Sequence, residues 1–159
     1  MIRIIFLTLL FIFTLKAEIK NELFILPSQN SEIEDRILTL IENSNDEIII
    51  AMYNFSYKKY AKELIKSAKK GIKITLILDG KKYKENKDFT NELKNIGIKV
   101  FIAKEKMHMK VAIFDNNTLI IGSSNWTKES FEENHESILI TDDKEIIFKL
   151  SEYLKKEKL

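Results

Sequence analysis

The sequence predicts an α/β fold, an α-β-α sandwich built on a mixed central β-sheet. Three observations carry that prediction. Ile48-Ile49-Ile50 and Ile72–Leu78 are near-continuous apolar runs, the pattern of strands covered on both faces. Segments with amphipathic helical spacing alternate with them, as crossover connections do. Further on, Val111–Phe114 and Thr118–Ile121 flank Asp115-Asn116-Asn117, turn chemistry between two strands, so part of the sheet is antiparallel.

The elements follow in order. Met1-Ile2-Arg3 and then Ile4–Leu15 read as an export signal, with a basic start and an apolar run too short to span a bilayer comfortably. Leu15-Lys16-Ala17 offers a cleavage site, and an uncleaved membrane anchor is the alternative. Residues 1–17 are therefore expected to be a signal peptide or N-terminal membrane anchor, and 18–159 a single domain. That domain is expected to be exported, either periplasmic or membrane-associated. Glu22–Leu26 is a short strand ended by Pro27. Ser31 reads as the cap of a helix whose apolar stripe is Ile33, Ile37, Leu38, Leu40 and Ile41, with Glu34 as the reciprocal capping partner. Asp46–Tyr53 is a strand, and Tyr57–Lys70 a helix with Ala61, Leu64, Ile65 and Ala68 inward, closed by Gly71. After the strand at Ile72–Leu78, Asp88–Asn95 is a shorter helix and Ile98–Ala103 a strand. Beyond the hairpin come a short helix at Trp126–Glu133, a strand at Glu136–Thr141 and a closing helix at Lys144–Lys156.

With 159 residues, 45% of them apolar, the chain can build one domain around a real core. It has no cysteine, which excludes disulfides, thiolate zinc sites and a cysteine nucleophile. Its two histidines cannot alone form an ordinary zinc site, and neither a metal nor a cofactor is expected. Without Arg3 and Lys16 the chain has 24 basic and 24 acidic residues, so overall charge does not identify a partner. Locally the balance differs: Lys58 through Lys110 holds sixteen lysines against six acidic residues. Within it, Lys81, Lys82, Tyr83 and Lys84 follow the strand ending at Asp79-Gly80, where α/β proteins tend to bind ligands. Basic side chains with an aromatic suit a nucleic-acid backbone and a stacked base, although a lysine-rich face is also what a solvated surface looks like.

A two-residue loop at Asn116-Asn117 would set the hairpin register. Asp115 would face Thr118, Lys110 would face Ser123, and His108 would face Asn125. Facing residues of an antiparallel pair share a side of the sheet, as do His108 and Lys110, two apart on one strand. The register therefore gathers a histidine, a fixed cation and two neutral hydrogen-bonding groups, a set able to bind and attack a phosphate. A slip of one residue would put His108 and Asn125 on opposite faces.

His-x-Lys-x4-Asp-x6-Gly-Ser-x-Asn, here His108, Lys110, Asp115, Gly122, Ser123 and Asn125, resembles the signature of the phospholipase D superfamily. Asn125-Trp126-Thr127 and Asn134-His135-Glu136 extend the resemblance to the single-motif, Nuc-type bacterial endonucleases. Ile48–Tyr53 and Gly71–Asp79 resemble the same family, so the likeness runs from about Leu23 onward. It implies a phospholipase D/nuclease-like fold and a phosphohistidine intermediate on His108. It also implies an endonuclease acting on nucleic acid, DNA before RNA; Trp126, beside the motif, and the basic run at residues 81–84 are the expected substrate contacts.

Each residue has a role to be tested. Lys110 would hold a phosphate oxygen, and Ser123 and Asn125 would donate to it as negative charge develops. These three would supply the electrostatics of a bound cation, making the reaction metal-independent. Glu136 would fix the His108 tautomer, or else be an exposed strand-edge glutamate. Asp115 flanks the turn and is expected to stabilise it, and Gly122 to permit close backbone approach or a positive φ. Attack and leaving-group protonation call for two histidines. Alternation puts His135 on the opposite face from Glu136, so a homodimer pairing two copies of His108 is the simpler expectation. The alternatives are a phospholipase D-type lipid phosphodiesterase or phosphatidyltransferase using the same residues, and a non-catalytic nucleic-acid-binding protein.

Overall fold

The computed structural model describes residues 18–157. Residues 1–17, expected to be a signal peptide or membrane anchor, lie outside them. The elements are β1 (Asn21–Leu26), α1 (Asn30–Glu42), β2 (Glu47–Met52), α2 (Lys58–Lys69), β3 (Lys73–Leu78), α3 (Gly80–Glu85) and α4 (Lys87–Asn95). They continue with β4 (Lys99–Ile102), β5 (Lys110–Phe114), β6 (Thr118–Gly122), α5 (Lys128–Glu132), β7 (Glu136–Thr141) and α6 (Lys144–Glu157). The strands form one seven-stranded sheet in the order β1-β7-β6-β5-β2-β3-β4. β2, β3 and β4 run parallel, while β5, β6, β7 and β1 alternate antiparallel. The sheet is mixed, as the sequence predicts.

Alternation along β2 shows why its isoleucines are all buried. Ile48, Ile50 and Met52 join Ile37, Ile41 and Leu64 of α1 and α2 in one core. Ile49 and Ala51 point the other way, with Val111 and Ile113 of β5 and with Ile147 and Leu154 of α6. A strand between two helical layers has no polar face to offer. Burying each large aliphatic side chain contributes ~1.5–3 kcal/mol, which is what fixes the register.

Two helix ends differ from expectation. Helix α1 begins at Asn30, and Ser31 makes no cap; the position before the helix is Gln29, whose side chain accepts from Ile25 N at 2.9 Å. Glu34 is buried instead, accepting Tyr57 Oη at 2.5 Å and Lys59 Nζ at 2.7 Å, and so ties α1 to the start of α2. Helix α3 is absent from the expected elements. It forms because Asp79 caps it, its side chain accepting from Lys81 N and Lys82 N at 3.0 and 3.1 Å. Gly71 has φ +97 at the end of α2, the left-handed position a glycine fills without strain.

Candidate active site

One end of the sheet collects the ends of β2, β3 and β6 and the starts of β5 and β7. Antiparallel pairing is what brings them there, since β5 starts where β2 ends, with Lys110 opposite Met52. Lys110 is buried at 9% exposure, while His108, two residues earlier, is exposed. Lys110 Nζ lies 3.4 Å from both ring nitrogens of His108 and donates to the His108 carbonyl at 2.9 Å.

Electrostatics follow from that arrangement. The Lys110 charge pushes the His108 pKa below its ordinary value, with desolvation and Lys106 acting the same way and Asp79 opposing. Burial lowers the Lys110 pKa, with Lys106 adding to it and Glu136 opposing. The direction of the first shift favours the neutral imidazole, with a lone pair available, beside the Lys110 side chain.

The hairpin turn lies one residue earlier than expected. Phe114, not Asp115, faces Thr118, and Val111 faces Ile121. The loop is Asp115-Asn116-Asn117, closed by Asn117 N donating to Phe114 O at 2.9 Å. Asp115 and Asn116 take φ of 52 and 49, a conformation their short polar side chains tolerate best among non-glycine residues. The expected pairings of Lys110 with Ser123 and His108 with Asn125 are therefore corrected by one residue. Ser123 and Asn125 lie beyond the end of β6, where the ladder no longer dictates their faces.

Ser123 reaches β7: its Oγ donates to Glu136 Oε2 in a short hydrogen bond and accepts from Ser137 N at 3.1 Å. The hydrogen bond of Glu136 is thus with Ser123, not with the His108 ring. Its electrostatic effect falls on Lys110. Gly122 is required for close approach rather than for a positive φ, since a Cβ there would sit 2.1 Å from Ser137 O. Asn125 Oδ1 accepts from Asn54 N at 3.3 Å, and Asn54 Oδ1 accepts from Asn86 Nδ2 at 3.3 Å.

Asp115 stands at the far end of the sheet. Its carboxylate accepts from Asn45 N at 2.9 Å, Asp46 N at 2.9 Å and Glu47 N at 3.0 Å. The expected turn role is there, extended into a tie between the hairpin and the entry to β2. Trp126 is corrected: at 2% exposure it packs on Phe55 and Tyr60, ring centroids 5.8 and 5.0 Å away, and has no face for a base. In α3, Lys82 pairs with Glu85 at 2.5 Å and lies at the edge of the site, Lys81 and Lys84 are exposed, and the Tyr83 hydroxyl accepts from Lys94 at 3.2 Å. Sequence reasoning missed Tyr53, Asn54 and Lys106 as site neighbours. Tyr53 and Asn54 follow the C-terminal end of a buried strand, where ligands of α/β sheets gather; that position was the available signal.

Comparison with known proteins agrees with the geometry. The family model described as cardiolipin synthase, PLD-like domain, matches residues 37–158. NucT from Helicobacter pylori is 32% identical, with a TM-score of 0.80 over 88% of this chain and 96% of that one. Nuc from Salmonella typhimurium, a phospholipase D family member, has the same fold at 21% identity and a TM-score of 0.78, covering 88% and 94%. Mitochondrial cardiolipin hydrolase of Xenopus tropicalis is 27% identical over 114 residues, 70% of this chain and 54% of that protein. Phospholipase D of Rickettsia felis is 30% identical over 112 residues, covering 69% and 56%. The chain thus spans about half the length of the curated relatives it matches. Fold and site are those of a phospholipase D-type domain that carries a histidine-lysine pair at one end of its sheet. The chain belongs to the phospholipase D superfamily, within its PLD-like domain family, and is of the Nuc type.

Proposed function

We propose that the protein is an exported, metal-independent endonuclease that hydrolyses nucleic-acid phosphodiester bonds, with DNA the expected substrate, at an active site shared across a homodimer. The observation that carries this reading is the exposed His108 imidazole against the buried Lys110 side chain, whose Nζ lies 3.4 Å from both ring nitrogens. His108 attacks phosphorus and an N–P bond forms as the bond to the leaving oxygen breaks. Lys110, Ser123 and Asn125 hold the charge that develops on the phosphoryl oxygens. The His108 of a twofold-related subunit, in its protonated form, gives that proton to the leaving oxygen, and then as the neutral base takes the proton of the water that breaks the N–P bond. Glu136, bonded to Ser123 and acting on Lys110, keeps those donors in place. Lys81, Lys82 and Lys84 are assigned to the nucleic-acid backbone.

Purified protein incubated with DNA, RNA and cardiolipin vesicles in EDTA tests the reading. Cleavage of DNA that survives EDTA is the expected result; complete loss restored by magnesium or zinc counts against it. The shared site is tested by mixing His108→Asn and wild-type subunits. Activity should fall as the square of the wild-type fraction, and a linear fall denies the composite site. Export places the mature N-terminus at Glu18, which N-terminal sequencing from the native cell checks.

A second reading has its own support. Two of the similar proteins are named for cardiolipin or phospholipid hydrolysis. Release of phosphatidic acid from the vesicles, with DNA and RNA intact, would favour the lipid phosphodiesterase.

A further inference from the structure

His108 is exposed, and among the described residues no carboxylate is hydrogen-bonded to its ring. Something else must hold an imidazole that has to meet phosphorus in line. The Tyr53 ring lies against it, centroids 4.6 Å apart at an interplanar angle of 54°. The Nζ atoms of Lys110, Lys106 and Lys82 lie 5.3, 5.7 and 5.8 Å from the centre of the same ring. The Tyr53 backbone is itself tied down, its N–H donating at 3.0 Å to the carbonyl of Met109, the residue between His108 and Lys110.

We propose that Tyr53 is the positioning residue of this site: its aromatic face fixes the His108 imidazole and gathers the three ammonium groups around it. Each half of that statement has a physical cause. A flat ring at van der Waals distance limits rotation of the imidazole, which a strand-end histidine otherwise has freely. Three ammonium groups repel one another, and the negative quadrupole face of one ring offsets part of that repulsion. They come from three places, Lys82 on α3, Lys106 before β5 and Lys110 on β5, so no single element could assemble them. Lys82 is already neutralised in part by Glu85, and Lys106 is exposed. With an anion in the site, Lys106 can turn toward it, and the Lys110 ammonium, which gives one bond to the His108 carbonyl, keeps donors to spare.

The test compares Tyr53→Phe with Tyr53→Leu. The chain has two histidines, so imidazole NMR resolves His108 against His135 as an internal standard. The charged groups acting on the site are Lys110, Lys106 and Asp79 on His108, and Glu136 and Lys106 on Lys110. In wild type the His108 signals should carry a ring-current shift and titrate below the ordinary imidazole value. Tyr53→Phe keeps the ring, so it should keep the shift, the titration and most of kcat. Tyr53→Leu should lose the ring-current shift and titrate closer to an ordinary histidine. Its kcat should fall about tenfold to a hundredfold with a smaller change in KM. An unchanged His135 signal verifies the fold, and Tyr53→Met replaces the leucine variant if that one unfolds. Wild-type His108 signals and kcat without the ring would overturn the proposal. So would a phenylalanine variant as impaired as the leucine one, which would place the role on the hydroxyl. The kinetic arm rests on His108 as the nucleophile; the NMR arm stands whether or not the substrate is nucleic acid.

Discussion

At the start of β5, Lys110 is buried beside His108, and among the described residues neither is hydrogen-bonded to a carboxylate. At its other end Asp115 accepts from three successive backbone N–H groups. Five residues of strand, about 17 Å, separate them. Both belong to the same short motif, yet among the described residues one end leaves its cation without a direct carboxylate contact and the other ties its anion to three backbone N–H groups. A cation with no carboxylate bonded to it is where a ligand of opposite sign can bind. A charge saturated by the protein's own backbone has nothing left to offer a substrate, and holds structure instead.

The sharpest way to break this comparison is to remove one group from each end. His108→Asn should lower kcat by about 10³–10⁶-fold, as loss of a nucleophile does. Because His108 is exposed, its denaturation midpoint should move little, within ~0.5 kcal/mol. Asp115→Ala should do the reverse. Leaving three N–H groups without their acceptor costs ~2–3 kcal/mol, discounted because Asp115 is half-buried, and kcat of the folded fraction should stay near wild type. Urea titration and initial rates on both variants decide it; an Asp115→Ala protein that folds normally but is inactive would merge the two ends.

Glu136→Gln sharpens the catalytic end. The amide can still accept from Ser123, but the charge that supports Lys110 is gone. Steady-state rates should show kcat reduced by roughly tenfold or more with KM changed less. Full activity would return Glu136 to a structural role.

The smallest effect is on pH. Lys110 and Lys106 hold the His108 pKa down, and only the neutral imidazole attacks. The acid limb of kcat/KM should therefore lie below the ordinary value of about 6.5. Lys106→Ala, or added salt that screens the lysines, should move the limb up toward that value. A limb unmoved by either would mean that the lysines do not set it.

Much of the fold was legible because burial on both faces writes itself into runs such as Ile48-Ile49-Ile50. The motif spacing likewise pointed to His108, Lys110 and Asp115 before any geometry. The hairpin turn was not legible, because Asp115-Asn116 and Asn116-Asn117 are equally good turn pairs by residue type. Only contact with Asn45, Asp46 and Glu47 on a distant segment distinguishes them. Trp126 was misread for a related reason: whether an aromatic faces a substrate or the rings of Phe55 and Tyr60 depends on long-range packing. Tyr53 was overlooked because its partners lie up to 57 residues away along the chain, at Lys110.

The most direct test of the reactive end is capture of the covalent intermediate. Protein is mixed rapidly with a DNA oligonucleotide in EDTA, quenched in alkaline denaturant to preserve an N–P bond, digested and analysed by mass spectrometry. The expected result is a nucleotide joined to the peptide that carries His108, formed during turnover and missing from His108→Asn. Turnover without any adduct, or an adduct on His135, would contradict it.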